Sequence, residues 1–514
     1  MIRNPQSLYI DPTSETEVCA VYHSLKNSFA CDIDNIQIKP VKYALDLILS
    51  PLTYLYNICL STGTFPRKMQ IAKVVPIFKK GDKNNLTNYR PISILPVFSK
   101  GLEKLIHIRI TKFATKHNLI NPTQFGFRKG MSTEYALLAQ KEIILKAIEE
   151  KYVIAGVYID FSKAFDSINH VTLLKKLEVY GIRGIPLDLL KSYLENRMQC
   201  VSIQEILSSC QPIKAGVPQG SILGPLLFNL YTNDITCISS NAEYVTYADD
   251  TTIFFRSRSY HSLQSEINST LEKLTTWSEI NSLQINANKT KAIIFTTRQA
   301  ASAPEMTFTL GDADVEIVDS VKCLGVHFHK NMSWDTHVDH VTTQIAKAAG
   351  VITKYKSYLP TAVKLHIYNS LFLSHVNYCL LVWGKTTIGN LNRIHVLQKR
   401  AIRSIANVHY REHTSELFTK FDILSIHYMY SSYLAKRYKH DSLEILRTLA
   451  NLTPQTRHYN TRTNLIWKIS YSRLRLSEQM LRHALPTLLN HLHCQGINIS
   501  TITNNMLKSF VTRQ

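Results

Sequence analysis

The chain has 514 residues, is 45% apolar and carries a formal net charge of +21, which leaves room for two to four domains with sizeable cores. The longest apolar stretch near the N-terminus, Tyr43 to Leu60, is broken by Asp46, Ser50, Pro51 and Asn57, which excludes a membrane span; residues 1–20 carry acids and no apolar h-region, which excludes a secretory signal there. The nine cysteines never fall in a C-x-x-C pair, so neither a zinc ribbon nor a disulfide scaffold is indicated, and reduced thiols in a nuclear or cytosolic compartment are expected.

Charge is unevenly distributed. Residues 341–514 hold 23 Lys and Arg against 6 Asp and Glu, a net of +17, whereas the first 340 residues carry only +4. Such a basic segment suits a polyanion, because phosphate contacts supply most sequence-independent affinity for nucleic acid. A solvated helical face explains the charge equally well by itself.

In chain order, the first 60 or so residues read as helix and loop, ending at Thr62 to Pro66. A strand is predicted over "AKVVPIFKKG" (72–81), followed by an Asn- and Asp-rich loop and the proline-bounded "YRPISILP" (89–96). Phe98 to His117 has helical spacing, with Leu102, Leu105 and Ile106 on one face. "VIAGVYID" (153–160) is a short β-branched run that stops at Asp160, and "HVTLLKKLEVYG" (170–181) is an amphipathic helix closed by glycine. This order, strand then helix, puts Asp160 at a strand's carboxyl end, the edge where α/β domains place their chemistry. "YVTYADDTTIFF" (244–255) has strand-forming residues on both sides of Asp249 and Asp250 and predicts a hairpin. Beyond about residue 335 helical periodicity dominates. The body is α+β and the remainder all-helical.

Adjacent carboxylates repel unless a proton or cation sits between them. If Asp160 and the Asp249–Asp250 hairpin are neighbours in one sheet, they form a three-carboxylate cluster able to bind two Mg²⁺ about 4 Å apart, as phosphoryl displacement requires. Polymerases and nucleases both use that chemistry. The surrounding blocks are more selective: "VVPIFKKGDKNNLTNYRPISILP" (74–96), "QFGFRKGMST" (124–133), "YIDFSKAFDSINH" (158–170), "AGVPQGSILGPLLFNLYTNDI" (215–235), "YADD" (247–250), "LQINANKTKAIIF" (283–295) and "VKCLGVHFHKNMSWDTHV" (321–338). In this order they resemble the motifs of a reverse transcriptase, and more narrowly the polymerase of jockey-type non-LTR retrotransposons.

The resemblance implies an α+β right-hand polymerase, with fingers and an antiparallel palm over 65–330. A helical extension (1–64) precedes it, and a helical thumb and connection (331–430) and a basic helical tail (431–514) follow. Asp160 and Asp249 would hold two Mg²⁺ ions, or Mn²⁺, with Asp250 alongside and the Phe161 carbonyl as a further oxygen ligand. Phe165 would exclude a ribose 2′-hydroxyl, while Gln219 and Gly220 would sit beside template and incoming nucleotide. Lys79 and Arg90 would grip the triphosphate, the arginine as a bidentate fork and the lysine as a point charge. Lys289 would protonate the departing pyrophosphate, with Lys291 as competitor, and Tyr247 and Ala248 would lie where the primer end arrives. The implied partners are an RNA template, a DNA primer or target DNA, and dNTPs, without a membrane; the implied location is nucleus and cytoplasm.

About 65 residues precede the first finger motif, so a separate endonuclease is expected to supply the nick. Cys323 stands where the family often has an aromatic, a departure expected to loosen the primer grip. His491, His493 and Cys494 lack a metal-ligand partner set. Two other functions fit part of the pattern: a catalytically silent RNA-binding remnant, and a two-metal nuclease, which has no need of a sugar-excluding ring.

Overall fold

The computed structural model describes residues 3–204, 206–297, 304–441, 443–455 and 465–499. Contacts divide the chain into two compact units that interleave along the sequence.

The first unit comprises Met1–Phe127, Asp160–Ser240 and Thr270–Asn286. Here the strand expected at 72–81 is Ile71–Phe78, returning as Tyr89–Ile94. The Lys79 N–H donates to the Asn88 carbonyl at 2.9 Å, and counting back in twos makes Pro76 opposite Pro91 a pair from which the ladder asks no N–H. Met198–Ile203 lies parallel to Ile71–Phe78, with Ile71 opposite Met198. Gln211–Pro212 folds back on that strand, Met198 facing Pro212 and Gln199 facing Gln211. This register sets Cys200 against Cys210, and their sulfurs are bonded. The expectation of reduced thiols throughout therefore fails at this pair, because it was drawn from spacing and the pairing comes from the hairpin.

Helix Val97–Lys116 buries Leu102, Leu105 and Ile106, the face expected from its spacing. The interrupted apolar stretch after Tyr43 is helix Leu45–Thr62, closed by Gly63 in the left-handed region (φ 69°). It packs on helices Glu15–Ser24 and Ile185–Leu194.

The second unit comprises Arg128–Ile159, Asn241–Ser269 and Ala287–Gln514. Its sheet has the order Glu316–Ile317, Lys291–Phe295, Val153–Ile159, Asp250–Ser257, Glu243–Tyr247. The central strand "VIAGVYI" is buried almost end to end, which explains a continuous apolar run where a half-exposed strand would alternate. Gly156 faces Phe254 across the ladder, where an added Cβ would lie 2.9 Å from the ring. Both neighbours of this strand are antiparallel to it, so the carboxyl-edge rule of parallel sheets does not operate here. The acids are placed by a hairpin.

Beyond Asp335 the regular elements among the described residues are helices, with one isolated bridge, Pro454 with Trp467. Helix Asp335–Lys354 packs along Ile388–Ala406, and helix Ile426–Lys439 runs through the boundary expected at 430/431. The segment 473–494 is docked on helix Thr133–Glu149. Glu142 accepts from Leu481 N at 2.9 Å, and Glu149 accepts from the N–H of Arg473 and Leu474 and from the Ser477 hydroxyl. The buried Lys141 ammonium donates to the carbonyls of Gln479 (3.0 Å) and Leu381 (3.2 Å). Burial pushes Glu142 up to about 7 against the pull of Lys141. Among the described residues no helix is long and apolar enough to cross a membrane.

Candidate active site

Strands Glu243–Tyr247 and Asp250–Ser257 form the expected hairpin, closed by Tyr247 opposite Asp250. Two residues make the turn, and Ala248 takes a left-handed conformation (φ 57°) that hairpins usually give to glycine. Asp249 and Asp250 are both exposed. On the neighbouring strand Ile159 is paired with Thr251, and Asp160 is the next residue along the chain.

Alternation along Asp250–Ser257 puts Asp250 on the face of Thr252. On that face Gln140 Nε2 donates to Thr252 Oγ1 (3.4 Å) and to Cys323 Sγ (3.5 Å). Burial, with the Asp250 carboxylate nearby, pushes the Cys323 thiol up to about 12. Among the described residues no three His, Cys, Asp or Glu side chains gather into a metal-holding group; within the second unit, Asp250 lies on the Cys323 side. Cys323 itself opens a tight turn in which Leu324 (φ 43°) and Gly325 (φ 85°) are both left-handed, and the Tyr378 hydroxyl donates to Leu324 O at 2.8 Å.

In the first unit, Phe161–Ser162 pairs with Gln284–Ile285, and Asn286 N donates to Asp160 O at 2.8 Å. That makes 160 with 286 a hydrogen-bonded pair and 161 with 285 a non-bonded one, so this ladder leaves the Phe161 carbonyl unspent. Phe165 is stacked on Phe228 (centroids 4.5 Å apart) and edge-on to Phe127 (6.0 Å). Arg90 lies opposite Ile77, two residues before Lys79, so the two bases share one face of their hairpin and both are exposed.

Loop 216–220 is fastened on two sides. Gly216 N donates to Ile168 O (2.8 Å), Val217 N to Phe165 O (2.9 Å), and Ser93 N to Gln219 O (2.8 Å). Gly220 has φ 132°, and a Cβ there would meet the Ser93 carbonyl oxygen; only glycine fits. The helix that follows, Gly224–Thr232, is anchored by a residue absent from the sequence-level site. Glu103 is fully buried and accepts from Ile222 N (2.8 Å), Leu223 N (3.2 Å) and the Ser99 hydroxyl (3.1 Å). Burial pushes its pKa up, opposed by the Arg197 guanidinium and by those N–H donors. Its one sequence signal is position: Glu103 stands on the stripe of Ile106 and Ile110.

Lys291 is part of the sheet, opposite Tyr158 and ion-paired with Glu316, whereas Lys289 is exposed in the preceding turn.

Residues 77–328 match the family model described as reverse transcriptase (RNA-dependent DNA polymerase), and this part of the chain is a reverse transcriptase domain. The chain is also similar to RNA-directed DNA polymerases from mobile elements. The probable RNA-directed DNA polymerase from transposon BS of Drosophila melanogaster is 30% identical over 423 residues, 79% of this chain and 46% of that protein. The RNA-directed DNA polymerase from mobile element jockey of the same species is 29% identical over 399 residues, 75% and 43%. The probable RNA-directed DNA polymerase from transposon X-element, also of that species, is 28% identical over 449 residues, 85% and 48%. The chain thus spans about half the length of these relatives.

Proposed function

We propose that the chain is an RNA-directed DNA polymerase, built as a right hand with fingers and palm over 65–330 and a helical thumb and connection from 331 onward. It would extend a DNA primer 3′-hydroxyl with dNTPs on an RNA template, in nucleus and cytoplasm. The observation that carries this reading is the acid pair where a two-residue turn meets its strand, Asp249 in the turn and Asp250 opening a strand in register with the one ending at Ile159, directly before Asp160.

Asp160 and Asp249 would hold two Mg²⁺ ions, or Mn²⁺, with the Phe161 carbonyl; when bound, the ions make the primer hydroxyl more acidic and offset triphosphate charge. The donors are all oxygen, which suits a hard cation, and the Phe161 carbonyl is left over by its own ladder. Lys79 and Arg90 would bind the triphosphate from one face of their hairpin. Phe165, fixed between Phe127 and Phe228, would exclude a sugar bearing a 2′-hydroxyl. Lys289 would pass a proton from Nζ to the pyrophosphate oxygen as its bond to the α-phosphorus breaks. The basic surface of 341–514 would track the RNA backbone.

The test is extension of a DNA primer on homopolymer RNA with Mg²⁺ and dNTPs. The wild type is expected to extend it, and Asp249→Asn to abolish extension while keeping RNA affinity. RNA binding with a steep salt dependence and no incorporation by the wild type would refute the polymerase and establish the RNA-binding remnant.

A further inference from the structure

Between segments 365–377 and 421–436 of the second unit lies a cavity of about 390 Å³, a size within the range of small-ligand sites. Its walls come from irregular backbone. Residues Tyr368–Leu373 are wound as a π-helix, a rare form that recurs at functional sites. They carry Asn369 onto the cavity, and Asn377 reaches it from the helix Ser374–Asn377 that follows. On the other segment, Phe421 closes helix Ser415–Lys420, and Asp422 reverses the chain in a left-handed conformation (φ 52°). Phe421 N donates to Leu417 O (3.1 Å) and Ile423 N to Phe418 O (2.9 Å), so the backbone that bears the Phe421 ring is fixed. A second ring on the cavity, Tyr433, is held at its tip, where the hydroxyl accepts from Arg437 Nη2 at 3.1 Å.

We infer that this cavity takes one unpaired nucleobase of single-stranded RNA; the inference rests on the reading of 341–514 as an RNA-binding surface. The flat rings of Phe421 and Tyr433 suit a base, since every base has a π-face that stacks on an aromatic side chain. The Asn369 and Asn377 amides each offer a donor end and an acceptor end. A base edge presents the same two kinds of group in return, whereas a phosphate only accepts and an aliphatic ligand does neither. Charge points the same way. The net of +17 over 341–514 draws polyanions, and the exposed Lys420 ammonium lies 5.8 Å from the Phe421 ring centroid, within reach of the phosphate of a nucleotide whose base is stacked there. A base inside a duplex is already paired and stacked on its neighbours, so the cavity selects single strands over duplexes.

The measurement is fluorescence anisotropy of the full chain with a single-stranded RNA oligonucleotide of mixed sequence, and with the same strand in a fully paired RNA duplex, at several salt concentrations. Phe421→Ala is expected to weaken single-strand binding about 10-fold, the worth of one stacked base. Duplex affinity and the slope of affinity against salt are expected to stay as they are, because no phosphate contact is removed. Asn369→Ala, at an exposed position, is expected to weaken single-strand binding about 5-fold, the worth of one hydrogen bond, and keeps the test decisive if Phe421→Ala folds poorly. Unchanged single-strand affinity in both variants, or equal losses on single strand and duplex, overturns the inference alone. A wild type that binds neither RNA overturns the RNA-binding reading of 341–514 and this inference with it. A wild type that extends no primer, yet loses single-strand affinity alone in both variants, overturns the polymerase reading and supports the cavity as a base site.

Discussion

The segment 473–494 is expected to be part of the second unit's core, so that removing it unfolds the unit, where loss of an RNA-holding tail would only weaken binding. Helix Leu481–Cys494 buries Leu481, Leu485, Leu488, Leu489 and Leu492. Fully burying one leucine stabilises by about 1.5–3 kcal/mol, so five supply roughly 8–15 kcal/mol as an upper figure. That equals the ~5–15 kcal/mol net stability of a whole domain. Truncation also strips the buried Glu142 of the backbone donor from Leu481 and the buried Lys141 of its Gln479 acceptor, at about 1–3 kcal/mol for each group left unsatisfied. A chain stopped at residue 464 is therefore expected to lose the cooperative transition of the second unit in thermal circular dichroism and to be cleaved rapidly in limited proteolysis. Within the full chain, Leu485→Ala is expected to cost ~2–5 kcal/mol in chemical denaturation. A truncated chain that melts at the full-length midpoint, with only its RNA affinity reduced, would refute the reasoning and restore the tail.

Glu103→Ala leaves two N–H groups at the start of helix Gly224–Thr232 without an acceptor and the buried Arg197 without its counter-charge, so a loss of ~3–5 kcal/mol is expected. Glu103→Gln keeps an acceptor oxygen and should cost less, about 1–2 kcal/mol; equal losses measured by urea unfolding would show that the carboxylate's charge, not its acceptor role, holds the loop. Stability is also expected to fall with acid. Burial lowers His337 to about 3, and its Nε2 is buried with no hydrogen-bond partner, while His327 and His340 are lowered in the same direction. An unfolded histidine takes a proton near 6.5 and the folded His337 does not, so its contribution is whole above pH 6.5 and declines as pH falls toward 3. At pH 5 this one group removes roughly 2 kcal/mol. Urea midpoints at pH 7.5 and 5 measure it, and a pH dependence no flatter in His337→Asn would assign the effect elsewhere.

The elements legible in the sequence are those whose signal is local. Val153–Ile159 is a run of β-branched residues, Val97–Lys116 has helical spacing, and the hairpin at 247–250 has strand formers on both sides of two turn residues. The missed features are long-range pairings of ordinary residues. Glu103 and Ile222 are 119 positions apart, Glu142 and Leu481 are 339 apart, and Cys200 meets Cys210 only because Gln211–Pro212 folds back in one register. Asp166 lies inside a quoted motif, yet spacing cannot say that its carboxylate meets the Gln219 amide, because the contact depends on how a loop 53 residues later is bent.

Backbone conformation, more than side-chain packing, sets where the proposed site residues stand. Lys163 (φ 49°), Ala248 (φ 57°) and Leu324 (φ 43°) are each left-handed, at a cost of about 1–2 kcal/mol apiece for a side chain with a Cβ. Each persists because its flanks are over-determined: Asp166 N closes the turn at Lys163, the Tyr247–Asp250 pair closes the one at Ala248, and the Tyr378 hydroxyl holds Leu324 O. The same holds for Gly220, which fits against Ser93 only without a Cβ. Phosphoryl transfer leaves the protein little covalent chemistry and depends on position. Strain at Ala248 is therefore best understood as the cost of fixing the Asp249 carboxylate on an exposed turn, where packing alone would let it move.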